Sequence, residues 1–469
     1  MEKLKVISLF SGAGGLDLGF IQSGFYNILF ANDILESPIK TYSINFNLNF
    51  FKYNNKIKVQ KNIALVCNIK NIDFNPLRDE NIDLVIGGPP CQDFTLVRGK
   101  NRKGIEVKRG QLYSYFIKAL IQIQPKAFLF ENVYGLLTAN KGLAYKYILE
   151  DFSNLNLRWD EIKKEIKINN NIKSIQGYYI IHSKVLDFSY FGVPQKRKRL
   201  IIIGIRKDLI KNFKELKKIK YNFNRKLKQK MGLFPKYPLS TIETFEGKRL
   251  DELNDIYKEI IKKWDGIWLE VNNEYAWKWK FKVWDKLTFD IIQDYILVNK
   301  IKIFDKKEFE KALDQHEKIL KELKYYGIPV YSLKLNDNSN ETLNYTLKVI
   351  ERMKRIPFDE SHRFVYGTKW GIKTKGKTFL YKRLHPLKPS YTILAHTYSH
   401  GFHYDRDKIG LTLRERARLQ TFPDSFIFSG TKIEILSQIG EAVPPLAAKR
   451  LAEVLAKILL NLEININNH

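Results

Sequence analysis

At 469 residues the chain is too long for one ordinary domain and has room for two or three; 44% of it is hydrophobic and 13% aromatic, enough for a large core. Two cysteines, Cys67 and Cys91, exclude a disulfide framework and indicate a reducing, cytoplasmic setting; the first residues carry no signal-peptide pattern, and no apolar run approaches the length of a membrane span. Lys and Arg number 80 against 50 Asp and Glu, a net charge of +30 that favours a polyanionic partner over a membrane surface, although the abundance of Lys, Asn and Ile also fits an AT-rich coding bias.

In chain order, residues 4–10 form an apolar run that ends in Ser11-Gly12-Ala13-Gly14-Gly15, and Leu16, Leu18, Phe20 and Ile21 then line one face of a helix that stops at Gly24. Residues 26–31 predict a second strand, closed by Asn32-Asp33, and a helix is expected near Ser37 with Pro38 at its first position. Residues 45–62, rich in Asn and Lys, read as a loop insertion. Strands are expected at 63–66, 82–86 and 127–131, with a helix near 111–123, and further strands at 178–186 and 200–205 flank a basic turn. This alternation predicts an α/β fold with a doubly wound, mostly parallel sheet. After Arg206 the rhythm is lost: 207–380 is crowded with Lys, Trp, Tyr and Phe and reads as a second, smaller domain. Within it, Trp277, Trp279, Phe281 and Val283 alternate with polar residues and predict the core face of a strand, the alternative being a surface for phosphates and base stacking. A helix is expected at 412–420 and a last one from Pro444-Pro445 to about Leu460.

Two groups of residues carry chemistry. The glycine-rich turn at 12–15 lets a ligand approach the backbone at a helix start, but Asp17 stands where a dinucleotide fingerprint needs its third glycine. With Asp33 at the end of the second strand, placed to accept from two ribose hydroxyls, the pair points to a nucleoside cofactor without a pyrophosphate; a cap for the next helix is the alternative role for Asp33. Gly87-Gly88-Pro89-Pro90-Cys91-Gln92 follows the strand at 82–86, so Cys91 sits in a Pro-braced loop at the carboxyl end of a parallel strand, where α/β sheets carry their sites. Glu131 ends the apolar strand Phe128-Leu129-Phe130, a costly place for a carboxylate without a function or a partner.

These motifs, in this order, resemble the cytosine-5 DNA methyltransferase family of bacterial restriction–modification type. The resemblance rests on FSGAGG at 10–15, PPCQ at 89–92, ENV at 131–133, GVPQKRKR at 192–199 leading into LIIIGI, RLHPLKPSYTIL at 383–394, LTLRERARLQTFPD at 411–424 and GEAVPP at 440–445. It implies S-adenosyl-L-methionine as methyl donor, duplex DNA as partner, a monomer and no metal, with a restriction endonuclease as possible genetic partner. Cytosine C5 is a poor nucleophile, and a thiolate added at C6 activates it; the resemblance assigns that addition to Cys91. It implies that Glu131 serves N3, as a carboxyl held protonated by apolar surroundings, that Arg199 contacts O2 and holds Glu131, that Arg197 helps fix the catalytic loop and that Asn132 braces the strand end. It places the cofactor on Phe10, Ala13 and Gly15, with Asp33 on the ribose, Ile34 and Ile69 on the two adenine faces, and Gly88, Pro90 and Leu112 around the methionine end. Asn68 stands where the family usually has Asp, and Glu441, near Val443, where it usually has Asn; both are carried over as cofactor residues. The implied organisation is a catalytic and cofactor-binding domain at 1–206, a target-recognition domain at 207–382, later motifs and a hinge at 383–434, and a C-terminal segment at 435–469 returning to the catalytic domain. Rival readings are a tRNA cytosine-5 methyltransferase, disfavoured by the long variable region, and an inactive DNA-binding paralogue, disfavoured by Cys91, Glu131, Arg197 and Arg199.

Overall fold

The computed structural model describes residues 2–90, 112–155, 176–341, 345–372, 380–395, 400–406 and 410–467. The apolar runs become strands: β1 (Leu4–Leu9), β2 (Tyr26–Asp33), β3 (Asn49–Lys52), β4 (Ile57–Lys58), β5 (Ile63–Val66), β6 (Ile72–Asp73), β7 (Leu84–Gly87), β8 (Ala127–Val133), β9 (Tyr178–Asp187) and β10 (Lys198–Arg206). Eight of them form one sheet in the order β3-β5-β2-β1-β7-β8-β10-β9. The pairings from β3 to β8 are parallel, and β10 runs antiparallel to both its neighbours. This is the doubly wound, mostly parallel sheet that the sequence predicts. Its central strands are continuous apolar runs because both faces are covered: Val85, Phe128, Phe130, Ile201 and Ile203 are fully buried. From β1 the chain builds outward through β2 and β5, then crosses back to β7 on the other side. That reversal leaves a crevice beyond the carboxyl ends of β1 and β7, the place where such sheets bind ligands.

Helices α1 (Gly15–Gln22), α2 (Glu36–Phe46), α3 (Leu112–Ile123) and α4 (Leu143–Asn154) connect the strands. The second of these starts one residue before Ser37, so Pro38 lies in its first turn rather than at its first position; the missing N–H costs nothing there, because the first four N–H groups of a helix have no internal partner. The loop expected at 45–62 needs correction, since it contributes edge strand β3 and the short β4, which pairs with β6. Strand β3 is exposed along its whole length and has no buried face to leave a period in the sequence; backbone pairing with β5 alone makes it a strand.

The chain divides into two compact units. The first comprises Met1–Asp187, Lys198–Lys230 and Pro445–His469, and the second Phe188–Arg197 and Met231–Pro444. The first unit thus includes the helix Phe213–Met231 almost to its end, beyond the change of composition at Arg206. It also includes the last helix, Pro445–Asn467, which lies against α1. A Cβ on Gly19 of α1 would stand 2.3 Å from the Pro445 carbonyl oxygen, and the Tyr26 hydroxyl donates to the Ala452 carbonyl at 3.0 Å.

Within the second unit the described segments are mainly helical. Trp277–Val283 is not a strand: Glu274–Lys282 is a helix, capped by the Asn273 side chain on the Ala276 N–H. A helix places Ala276 and Trp279 on one face, and both are buried, Trp279 against Trp268, Phe358 and Phe364. Phe281 is 59% exposed, so the period of two had no single face behind it. The expected helix at 412–420 spans Leu413–Leu419, with a Thr412/Glu415 capping box. Its arginines are buried and paired, Arg414 with Asp337 at 3.0 Å and Arg418 with Asp424 at 2.6 Å. Among the described residues no helix is long and apolar enough to cross a membrane.

Asp17 is fully buried on α1, where the Tyr42 hydroxyl of α2 donates to it at 2.9 Å. Desolvation lifts its pKa to about 6, only partly opposed by hydrogen bonds. A carboxyl whose folded pKa is raised binds protons better in the folded state, so its burial penalises folding above pH 6 and the penalty fades as pH falls towards 4. Asp17→Asn is therefore expected to stabilise the protein at pH 8 by up to about 3 kcal/mol, the equivalent of two pKa units. Denaturant melts of both proteins across pH 4–8 check this: the gap should close as pH drops, and a gap independent of pH would contradict the assignment.

Candidate active site

The glycine turn after β1 bends through positive φ at Phe10, Gly12 and Gly14. Gly14 is the left-handed cap of α1, and a Cβ there would stand 2.5 Å from the Phe46 ring, so only glycine closes the turn against α2. The Gly12 N–H donates to Asp33 Oδ2 and the Leu35 N–H to Oδ1, both at 3.0 Å, which orients the carboxylate at the tip of β2. Burial raises the Asp33 pKa, opposed by these backbone hydrogen bonds. The cap position of α2 is Leu35, which sets aside a capping role for Asp33. Asn32 was not legible as a functional residue. Its buried amide donates to the Leu65 carbonyl at 3.0 Å and the Cys67 carbonyl at 2.9 Å, tying the end of β2 to the end of β5. The available signal was an amide inside an apolar strand, next to Asp33.

Beyond β5, the Asn68 side chain accepts from the Lys70 N–H at 3.2 Å and caps a short turn at Ile69–Asn71. Its amide oxygen is thus already one bond committed. Ile34 is 62% exposed, whereas Ile69 lies in the core at 4%. Ala13 and Gly15 are buried and Phe10 half-buried. An oriented carboxylate for a diol, beside an open apolar side chain and a glycine turn, fits a nucleoside cofactor such as S-adenosylmethionine.

The second cluster belongs to β7, β8 and β10. A Cβ on Gly87 would lie 2.4 Å from the Leu9 carbonyl oxygen, and one on Gly88 would lie 2.8 Å from Glu131 Oε2. Both glycines therefore answer close approaches, the second by the carboxylate itself. Asn132 donates to the Pro89 carbonyl at 3.2 Å and so anchors the loop that leads towards the cysteine. Pro90 is exposed and Leu112, opening α3, is half-buried. Cys91 lies outside the described residues. Arg199 Nε stands 3.0 Å from Glu131 Oε1, with both side chains largely buried. In the antiparallel register Arg199 faces Val133 and Ile201 faces Glu131, so the ion pair crosses the two strands diagonally on one face. The notion that Arg199 holds Glu131 thus has a direct contact behind it.

Phe10, Ala13, Gly15, Asp33, Ile34, Asn68, Ile69, Gly88, Pro90, Leu112, Glu131, Asn132 and Arg199 thus all gather at the carboxyl edge of the parallel strands in the first unit. Arg197, Glu441 and Val443 belong to the second unit. There Arg197, 1% exposed, donates to the carbonyls of Gly440 at 3.0 Å, Glu441 at 3.3 Å and Ile393 at 3.4 Å. Gln195, which the sequence marked only as part of a motif, donates to the Leu419 carbonyl at 3.2 Å and accepts from the Ile393 N–H at 3.0 Å. Together these two side chains fasten the segments around 393, 419 and 440 to one another. Glu441 is exposed and Val443 buried.

The model of the C-5 cytosine-specific DNA methylase family matches residues 4–457. The chain is 54% identical over 466 residues to the DNA (cytosine-5-)-methyltransferase M.ApeKI of Aeropyrum pernix, covering 98% of this chain and 99% of that protein. It is 28% identical over 461 residues to the type II methyltransferase M.NgoFVII of Neisseria gonorrhoeae, covering 97% and 87%. Among solved structures, a prophage-encoded protein of E. coli assigned as a DNA modification methyltransferase shares the fold with a TM-score of 0.55 at 21% identity, covering 98% of this chain and 100% of that one. The chain belongs to the C-5 cytosine-specific DNA methylase family.

Proposed function

We propose that the protein is the modification methyltransferase of a type II restriction–modification system, methylating C5 of a cytosine that it turns out of a specific duplex DNA sequence in the cytoplasm. The observation that carries this reading is the Glu131–Arg199 ion pair at the strand ends, beside Gly88, with Asn132 anchored on the Pro89 carbonyl. In this reading the Cys91 thiolate adds to C6, which raises electron density at C5. Glu131 meets N3 and shares a proton there as charge moves onto the ring, and Arg199 holds Glu131 and contacts O2. When the C5 proton is lost to a base, the C6–S bond breaks and the Cys91 thiolate leaves. S-adenosylmethionine, when bound, supplies the methyl group as an electrophile. Asp33 accepts from its ribose hydroxyls, Ile34 lies on the adenine, Phe10, Ala13, Gly15, Asn68, Ile69, Gly88, Pro90 and Leu112 complete its surroundings, and Glu441 and Val443 are assigned to it on the family resemblance alone. Of the region at 207–382, the part in the second unit, from Met231 on, is assigned to target recognition on the same ground.

Cys91→Ala is expected to reduce methylation below a few per cent of wild type while leaving DNA affinity within about threefold, since only the covalent step is lost. DNA carrying 5-fluorocytosine at the target should trap the wild type, in the presence of cofactor, as a denaturant-resistant complex that Cys91→Ala does not form. Substantial turnover by the variant, measured by transfer of labelled methyl groups, would refute the mechanism.

C5 and C6 are stacked inside a duplex, so the cytosine must leave the helix at a cost of a few kcal/mol in pairing and stacking. A target cytosine facing a mismatch or an abasic site should therefore bind about tenfold more tightly than the paired one, equivalent to ~1.4 kcal/mol. Competition at fixed salt measures this, and equal affinities would exclude base extrusion from the binding step.

A further inference from the structure

The helix Phe213–Met231 has eight Lys or Arg residues and one acidic residue, Glu215. Coding bias does not account for this. The helix Lys306–Glu322, of similar length in the same Lys-rich chain, carries five basic and five acidic residues. The imbalance is local to one element.

It is also ordered in space. Leu216, Phe223 and Leu227 are the buried residues of the helix, and the His182 ring of β9 packs against Phe223 while its Nδ1 lies 3.0 Å from Asn224 Oδ1. At 100° per residue the opposite arc holds Lys214, Lys217, Lys218, Arg225 and Lys228, all exposed, and Lys220 is exposed beside the buried stripe. Lys230 lies outside this arc and is paired with Glu453 on the last helix. Two aromatics are also exposed: Tyr221, 65% exposed, lies on the same arc under Arg225, and Phe213, 68% exposed, opens the helix under Lys217. Five clustered like charges repel one another, which is unfavourable for the protein alone and favourable against a polyanion. The stripe Leu216, Phe223 and Leu227 faces inward, and the outward arc is dominated by cations, which suits a polyanion.

We propose that this face is a sequence-independent docking surface for the phosphate backbone of duplex DNA, separate from the base-reading contacts and serving to hold the enzyme on DNA flanking its site. The helix is about 28 Å long, enough to track several phosphates. The inference rests on the reading of the substrate as duplex DNA, and its test does not need methylation.

The variant Lys214→Gln, Lys217→Gln, Lys218→Gln, Arg225→Gln removes four outward charges without touching the buried face. Its affinity for a 60-base-pair duplex without the target sequence should fall tenfold or more near 0.1 M salt. The slope of log affinity against log salt should drop by about three to four. Methylation of a short target duplex at saturating concentration should stay within twofold of wild type. The charge-keeping variant Lys214→Arg, Lys217→Arg, Lys218→Arg should bind the long duplex as wild type does. Unchanged affinity and slope in the Gln variant would overturn the proposal, as would equal losses in both variants. So would wild-type binding to vesicles of equal phosphatidylglycerol and phosphatidylcholine that the Gln substitutions abolish while leaving long-duplex affinity intact. Absence of methylation by the wild type on the short duplex would count against the methyltransferase reading and leave the binding comparison standing.

Discussion

The pairing register of β10 on β8 is the constraint on which the candidate site depends. The two strands supply Glu131 and Arg199, and a slip of one residue would turn Arg199 to the other face of the sheet. Apolar patterning cannot enforce this register, because Leu200, Ile201, Ile202 and Ile203 are all fully buried and none prefers one face. Gly204 does: it is opposite Phe128, and a Cβ there would stand 2.3 Å from the ring. Only glycine fits beside that ring, so the glycine in LIIIGI locks the strand, and the lock sets the ion pair five residues away.

The same edge shows how polar groups are afforded burial. Asp33 is held by backbone N–H groups, Asn32 by two carbonyls, Asn132 by the Pro89 carbonyl, and Glu131 by a guanidinium. Each unpaired group of this kind would cost roughly 1–3 kcal/mol. Satisfying them at the strand tips gives a site whose side chains are fixed before any ligand arrives, the condition for a preorganised environment. The QxRxR run divides between the two units: Gln195 and Arg197 serve the second and Arg199 the first.

Much of the sheet was legible in the sequence because buried parallel strands leave uninterrupted apolar runs, and the site was legible because its residues end those runs. Strand β3 was not, since it is exposed and leaves no pattern, and Trp277–Val283 misled because an alternation without a buried face says little about period. The ion pair between Glu131 and Arg199 was anticipated from the family resemblance alone, because no local window of sequence joins Glu131 to a guanidinium that arrives from a strand 68 residues later. Asn32 escaped because its hydrogen bonds are to backbone carbonyls of β5 and the residue after it, which no local window contains.

A double-mutant cycle on Glu131→Gln and Arg199→Gln tests the central claim most directly, with single-turnover methylation of a saturating target duplex as the readout. If the register exists to make these two side chains act as one unit, either substitution removes most of what both together remove. The double variant should then fall less than about tenfold below the weaker single one, within ~1.4 kcal/mol. Losses that multiply, each side chain contributing independently of the other, would contradict the account.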